Sequence, residues 1–240
     1  MSLAMEKFAF LKDGLAVVIG STGGIGAAVK SLLHEVVGEE SVIGLGRSTS
    51  PFLDLLDENS IADDARMLSA QHRDIRLIFD ATGALTFDDH RPEKTWKTLT
   101  PDDMVKAFQI NAIGPALLMK HFLPLLPREG KSVFATLSAR VGSISDNQLG
   151  GWYSYRASKA ALNQMVRCSS IELKRSRKEA VCVALHPGTV DTGLSGGFAK
   201  SGLEVQTPGQ SAQRLLGVIS SLGSEDTGSF FDHLGKPIPW

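Results

Sequence analysis

The chain has 240 residues, 42% of them hydrophobic and 21% charged, with 24 glycines and a formal net charge of −1. This balance fits a folded α/β protein with one substantial core and excludes a disordered or fibrous chain, and the charge argues against nucleic acid as the main ligand. No apolar run is long enough to span a membrane, and Cys168 and Cys182 are too few and too far apart for a metal-ligand motif, which reads as reduced thiols in a cytoplasmic protein.

At the N-terminus, "MSLAM" lacks the basic and apolar stretches of a signal peptide. Met5 reads as the natural start, with residues 1–4 a short non-native scar and residues 5–240 one domain. From there short apolar runs alternate with helical patterns. "LAVVIG" (15–20) precedes the helix "IGAAVKSLLHEVV", and "SVIGLG" (41–46) precedes, after "FLDLLD", a polar helix through residues 61–68. "RLIFDATG" leads through a polar loop to a long helix over about 102–126, bent by Pro115 or Pro124. "KSVFATLS" precedes the helix beginning near Tyr153. "AVCVALHPG" precedes small helices between Thr192 and Leu222, and "GSFFD" is a last strand. Non-alternating apolar runs are the pattern of strands buried on both faces. The β-α-β order predicts a single-domain, Rossmann-type, doubly wound and mainly parallel sheet of about seven strands, with helices on both faces.

Ligands of such a sheet bind beyond the carboxyl ends of its strands. There the first strand runs into "GSTGGIG", which spaces Gly20, Gly24 and Gly26 around Ser21, Thr22 and Ile25. Glycines let the turn close and the backbone approach a diphosphate, while the helix starting near Ile25 offers free N–H groups. After the second strand, where a carboxylate would take the ribose 2′-hydroxyl of NAD, stand Arg47 and Ser48. A guanidinium suits a 2′-phosphate, so the expected cofactor is NADP rather than NAD.

The chain has two tyrosines, Tyr153 and Tyr155, in "GGWYSYRASKAALNQM". Residues i and i+4 share a helix face, so Lys159 neighbours Tyr155, while Tyr153 faces elsewhere. An ammonium beside a phenol lowers its pKa toward the working pH, which suits proton transfer to a reacting oxygen.

With these residues placed, the chain resembles the short-chain dehydrogenase/reductase superfamily over nearly its whole length, and more narrowly its C-factor and sniffer-like carbonyl reductase branch. "DLLD" resembles the acidic segment after that family's third strand, with Asp54 at the adenine-contact position. "DATG" stands where Asn-Asn-Ala-Gly is usual, so Ala81 and Gly83 match around the departures Asp80 and Thr82. "INAIG" supplies Asn111 for a proton-relay water. "PGTVDT" supplies Pro187, Gly188, Val190 and Thr192 around the nicotinamide. The resemblance implies hydride transfer between NADP and a carbonyl or alcohol, with Tyr155 the acid and Lys159 lowering its pKa and holding the nicotinamide ribose. It also implies pairing into a homodimer or homotetramer through helices about 102–126 and 153–176. A serine is expected to orient the carbonyl. Counting back from Gly142 reaches Ala139, so Ser138 is preferred and Ser143 is second. The second function, from another class, is a nucleotide-binding signalling or sensor protein of the C-factor type.

Other residues carry plainer readings. His186 is a strand-end histidine satisfied by backbone, and His90 belongs to a solvated loop rather than a metal site. Met119 and Met165 fill the core. "KRSRK" (174–178) complements the negative end of the Tyr155 helix. The substrate pocket is expected from loops at about 86–98, 143–153 and 193–206.

Overall fold

A computed structural model describes residues 8–88, 90–192 and 205–240. Each expected apolar run is a strand: β1 (Leu15–Ile19), β2 (Val42–Leu45), β3 (Ile75–Asp80), β4 (Ser132–Leu137) and β5 (Ala180–His186). A small pair follows, β6 (Thr189–Val190) with β7 (Val205–Gln206), and then β8 (Phe230–Asp232). The main sheet is parallel throughout in the order β2-β1-β3-β4-β5-β8.

Helices cover both faces: α1 (Gly24–Val37), α2 (Glu58–Ser69), α3 (Pro101–Phe108), α4 (Gly114–Phe122), α5 (Tyr153–Leu173) and α6 (Pro208–Ser221). Successive strand residues point to opposite sides, which divides the core in two. Leu15, Val17 and Ile19 pack with Ile61 of α2, Phe122 of α4 and Leu162 of α5. Ala16 and Val18 pack with Leu33 of α1 and Leu215 of α6. Each large side chain buried there contributes about 2 kcal/mol of hydrophobic stabilisation.

Three local features differ from expectation. The main sheet holds six strands among the described residues, not about seven. Beyond β2 there is only an isolated parallel bridge from Gly46 to Phe52. Pro51 brings no N–H, and only Phe52 and Leu53 are apolar before Asp54, so the pairing does not propagate. "DLLD" therefore follows β2 and this bridge rather than a full third strand. The expected long helix is divided by a π-helical turn at Gln109–Ile113 and ends in a 3-10 turn at Leu123–Leu125. Pro115 cannot donate to the carbonyl of Asn111, four residues back, and the backbone re-pairs around that gap. Finally, Met165 is exposed. The buried face of α5 runs through Tyr155, Lys159, Leu162, Val166, Ser170 and Leu173, and Met165 lies beside that stripe.

Candidate functional site

After β2 the chain returns to the other side of β1, so the strand order reverses between β1 and β3. Ligands of open α/β sheets bind at such a point. A cleft of about 840 Å³ opens there, lined by Gly20, Thr22 and Gly23 after β1, Arg47 and Ser48 after β2, Asp54 and Leu55 before α2, and Ala81, Thr82 and Gly83 after β3.

The turn after β1 closes on α1 only because of glycine. A Cβ on Gly26 would sit 2.2 Å from the Gly20 carbonyl oxygen. Gly23 immediately precedes α1 and no side chain caps the helix, so the first amides and the positive dipole end suit a phosphate. Thr22 is linked to Ser48 at 3.3 Å between hydroxyl oxygens. Ser21 instead turns inward, toward the Leu45 carbonyl. Gly24 and Ile25 belong to α1, and Thr192 packs against Gly24, bringing the segment after β5 to the same turn. Asp54 accepts from the Leu56 amide at 3.0 Å. These groups form a backbone cradle with a cation at its far end, which fits a phosphorylated dinucleotide.

Beyond β3 the site becomes a network of buried side chains. Asp80 is fully buried. Its Oδ1 accepts from the Thr82 amide (2.9 Å) and hydroxyl (2.5 Å), and its Oδ2 accepts from the Thr136 hydroxyl (2.6 Å). Burial pushes its carboxyl pKa up, while those bonds and the Lys159 charge oppose the rise. Sequence reading noticed Asp80 only as a departure from a motif. Thr136, at the matching register of β4, was not singled out.

Tyr155 and Lys159 lie on one buried face of α5, as their spacing requires, and Tyr153 is half-buried. The Lys159 ammonium donates to the Leu137 carbonyl at 2.8 Å. Burial lowers its pKa to about 8, with Asp80 pulling it back upward. Burial pushes the Tyr155 phenol pKa up. The ammonium is engaged by a carbonyl at the end of β4.

Asn111 sits in the π-helical turn, fully buried. Its Oδ1 accepts from the Ala84 amide (2.9 Å) and its Nδ2 donates to the Ala84 carbonyl (2.8 Å), which fixes the loop after β3. Gly83 lies between these groups. A Cβ there would stand 3.1 Å from Lys159 Nζ and 3.2 Å from Asn111 Oδ1. Ser138 donates to Asn163 Oδ1 at 2.7 Å, one turn beyond Lys159 on α5. Ser143 is also buried, and its Oγ accepts from the Asp146 amide. The Pro187 carbonyl accepts from Gln206 and Ser211. Gly188 is left-handed, and Val190 is buried in β6.

Two histidine readings change. The buried Nδ1 of His186 has no hydrogen-bond partner among the described residues, so backbone does not satisfy that nitrogen. Burial, Arg140 and His233 lower its pKa to about 4, so it is neutral at ordinary pH. His90 is not solvated: its ring stacks on Phe87 and its Nδ1 lies 3.3 Å from Asp103. Of the three substrate loops expected, residues 193–204 lie outside the described residues. Among the described residues, no helix is long and apolar enough to cross a membrane.

Comparison with known proteins points the same way. The family described as Enoyl-(Acyl carrier protein) reductase matches residues 25–218. The C-signal protein of Myxococcus xanthus is 40% identical over 138 residues, covering 58% of this chain and 79% of that one. A 1-hydroxy-2-glutathionyl-2-methyl-3-butene dehydrogenase of Rhodococcus sp. (strain AD45) is 30% identical over 235 residues, covering 93% and 98%. Among solved structures, NADPH-bound carbonyl reductase from chicken fatty liver superposes with a TM-score of 0.81 at 27% identity, covering 94% of this chain and 98% of that one.

Proposed function

The chain belongs to the short-chain dehydrogenase/reductase superfamily of oxidoreductases, and from that premise we propose that it is an NADP-dependent enzyme acting on a carbonyl/alcohol pair. The observation that carries this reading is that Tyr155 and Lys159 share one buried face of α5, with the Lys159 ammonium at the end of β4 and against Gly83 of the cleft. NADP is favoured by Arg47 at the cleft wall after β2 and by the NADPH-bound state of the chicken reductase.

Gly20, Thr22 and the start of α1 would hold the diphosphate, Arg47 and Ser48 the 2′-phosphate, Asp54 the adenine, and Thr82, Gly83 and the segment Pro187–Thr192 the nicotinamide half. When bound, NADPH supplies the hydride. Tyr155, neutral because it is buried, donates its proton to the carbonyl oxygen. Lys159, one turn further along the same face of α5, would stabilise in its charged form the phenolate left behind. Asn111 holds the loop after β3 and, through the π-helical turn, the place of a relay water. The carbonyl-orienting hydroxyl is Ser138 or Ser143. Trp96, Ile144 and Leu149, exposed apolar side chains within the segments expected to build the substrate pocket, favour an apolar substituent on the substrate. Val105, Ile113, Met165 and Ile171 on the outer faces of α3 to α5 support self-pairing there.

The test is NADPH-dependent turnover of a panel of aldehydes and ketones. Reduction of at least one is expected, falling about 10²-fold or more in Tyr155→Phe, the scale of a positioned general acid, and only slightly in Tyr153→Phe. Severe loss in Tyr153→Phe alone would remove the assignment. The identity with C-signal favours a second reading, a nucleotide-binding signalling protein. NADPH binding without turnover of any carbonyl would favour it.

A further inference from the structure

The α5 helix does not cap its own start. It begins after Trp152, a left-handed residue (φ 52°, ψ 44°) whose side chain caps nothing. Gly150 (φ 62°) and Gly151 (φ 66°) just before it are left-handed as well. Two glycines adopt that conformation freely, but a tryptophan there is strained and needs external support.

The support comes from Glu93, far back in the chain. Pro92 and Glu93 are buried between exposed Arg91 and Lys94, in the loop between β3 and α3. The Glu93 carbonyl accepts from the Trp152 amide at 2.5 Å. Its carboxylate accepts from the Ser154 amide at 3.2 Å and from the Ser154 hydroxyl. One residue thus satisfies two main-chain amides where α5 begins and places a negative charge at the positive end of the helix dipole. Tyr155 is the next residue, and the Trp152 and Tyr155 rings meet edge to face with centroids 6.3 Å apart.

We propose that Glu93 is a positioning residue for the Tyr155 phenol, capping the first turn of α5 from the loop that borders the substrate side. The proposal rests on Tyr155 being the proton donor. Glu93 acts on the first turn of α5, through the Trp152 and Ser154 amides and the Ser154 hydroxyl. It sets the rotation and height of the turn that carries the phenol, and a displacement of about 1 Å in a reacting group can cost 10²-fold in rate. Because the cap belongs to a loop, disorder in that loop also loosens the acid.

The test compares Glu93→Ala, Glu93→Gln and Glu93→Asp in the full chain with NADPH bound, by amide hydrogen exchange and by turnover of the best carbonyl of the panel. In Glu93→Ala, exchange over residues 152–156 is expected to accelerate tenfold or more while β1 to β4 stay protected. Turnover should fall about tenfold with NADPH affinity within twofold. Glu93→Gln, which keeps an acceptor for the Ser154 amide, should recover most of both. Unchanged exchange at 152–156 in Glu93→Ala would overturn the proposal, as would faster exchange with unchanged turnover. If Glu93→Ala does not fold, Glu93→Asp decides, because its carboxylate falls one methylene short of the Ser154 amide, and normal exchange at 152–156 with normal turnover there would also overturn the proposal. Tyr155→Phe, run alongside, separates the two levels: full activity in that variant removes the proton-donor assignment, while the exchange result still reports on the cap.

Discussion

At the ends of β1 and β2 the cleft is made largely of main chain. Gly20 and Gly23 shape the turn, the start of α1 faces it, and Arg47 and Ser48 stand at its wall. At the ends of β3 and β4 the site is made of buried polar side chains held by one another or by distant main chain: Asp80 by Thr82 and Thr136, Asn111 by the Ala84 backbone, Lys159 by the Leu137 carbonyl, Ser138 by Asn163. The first half needs a short local segment and the absence of side chains. The second needs partners from distant parts of the chain, because an unpaired polar group there is costly. Binding and proton transfer should therefore respond to different substitutions.

The largest expected separation is at Arg47. Arg47→Asp replaces a phosphate partner by a like charge, and a charge-assisted hydrogen bond is worth about 2–3 kcal/mol. The NADPH-over-NADH preference should shift about 10²-fold toward NADH, read from dissociation constants of both cofactors. Equal affinity for the two in the unmodified protein would remove the role of Arg47. A smaller effect is expected at the serines. Ser138→Ala should lower turnover about tenfold with NADPH affinity kept, by freeing Asn163 and the turn after Lys159. Loss confined to Ser143→Ala would assign the carbonyl-orienting hydroxyl to Ser143 instead.

The smallest effect is a shift in pH profile. Lys159 has a pKa of about 8, lowered by burial and pulled up by Asp80, so activity that needs the ammonium falls as pH rises through about 8. Asp80→Asn removes the upward pull and should move that alkaline limb to lower pH, by about one unit or less. A limb that stays in place would show that Asp80 serves the loop alone. In stability the sign is opposite. A lysine whose folded pKa lies below its unfolded value of about 10.4 binds fewer protons when folded, so its contribution is fully present above the unfolded pKa and is lost as pH falls through about 8.

The backbone half was the legible half. Strands β1 to β5 follow from uninterrupted apolar runs, and the glycine turn follows from spacing within seven residues. Tyr155 and Lys159 were legible for the same reason, since one helical turn fixes their relation. The rest depends on contacts that no local pattern carries. Met165 has the hydrophobicity of a core residue, but the buried face of α5 is partly polar, so apolar periodicity points to the wrong side. His90 lies among acids in a polar stretch and is still packed on Phe87. Glu93 gave one indirect signal: α5 begins at "WYSY" with no capping residue ahead of the helix, so its cap had to come from elsewhere. The π-helical turn at Asn111 was foreshadowed by Pro115, although as a bend rather than a change of pairing.

The division between a binding half and a proton-transfer half is tested most directly in Tyr155→Phe, by titrating NADPH into the variant and into the unmodified protein and measuring turnover on the same samples. The account predicts dissociation constants within twofold of each other, with turnover reduced about 10²-fold or more. Affinity and turnover falling together, or turnover unchanged, would contradict it.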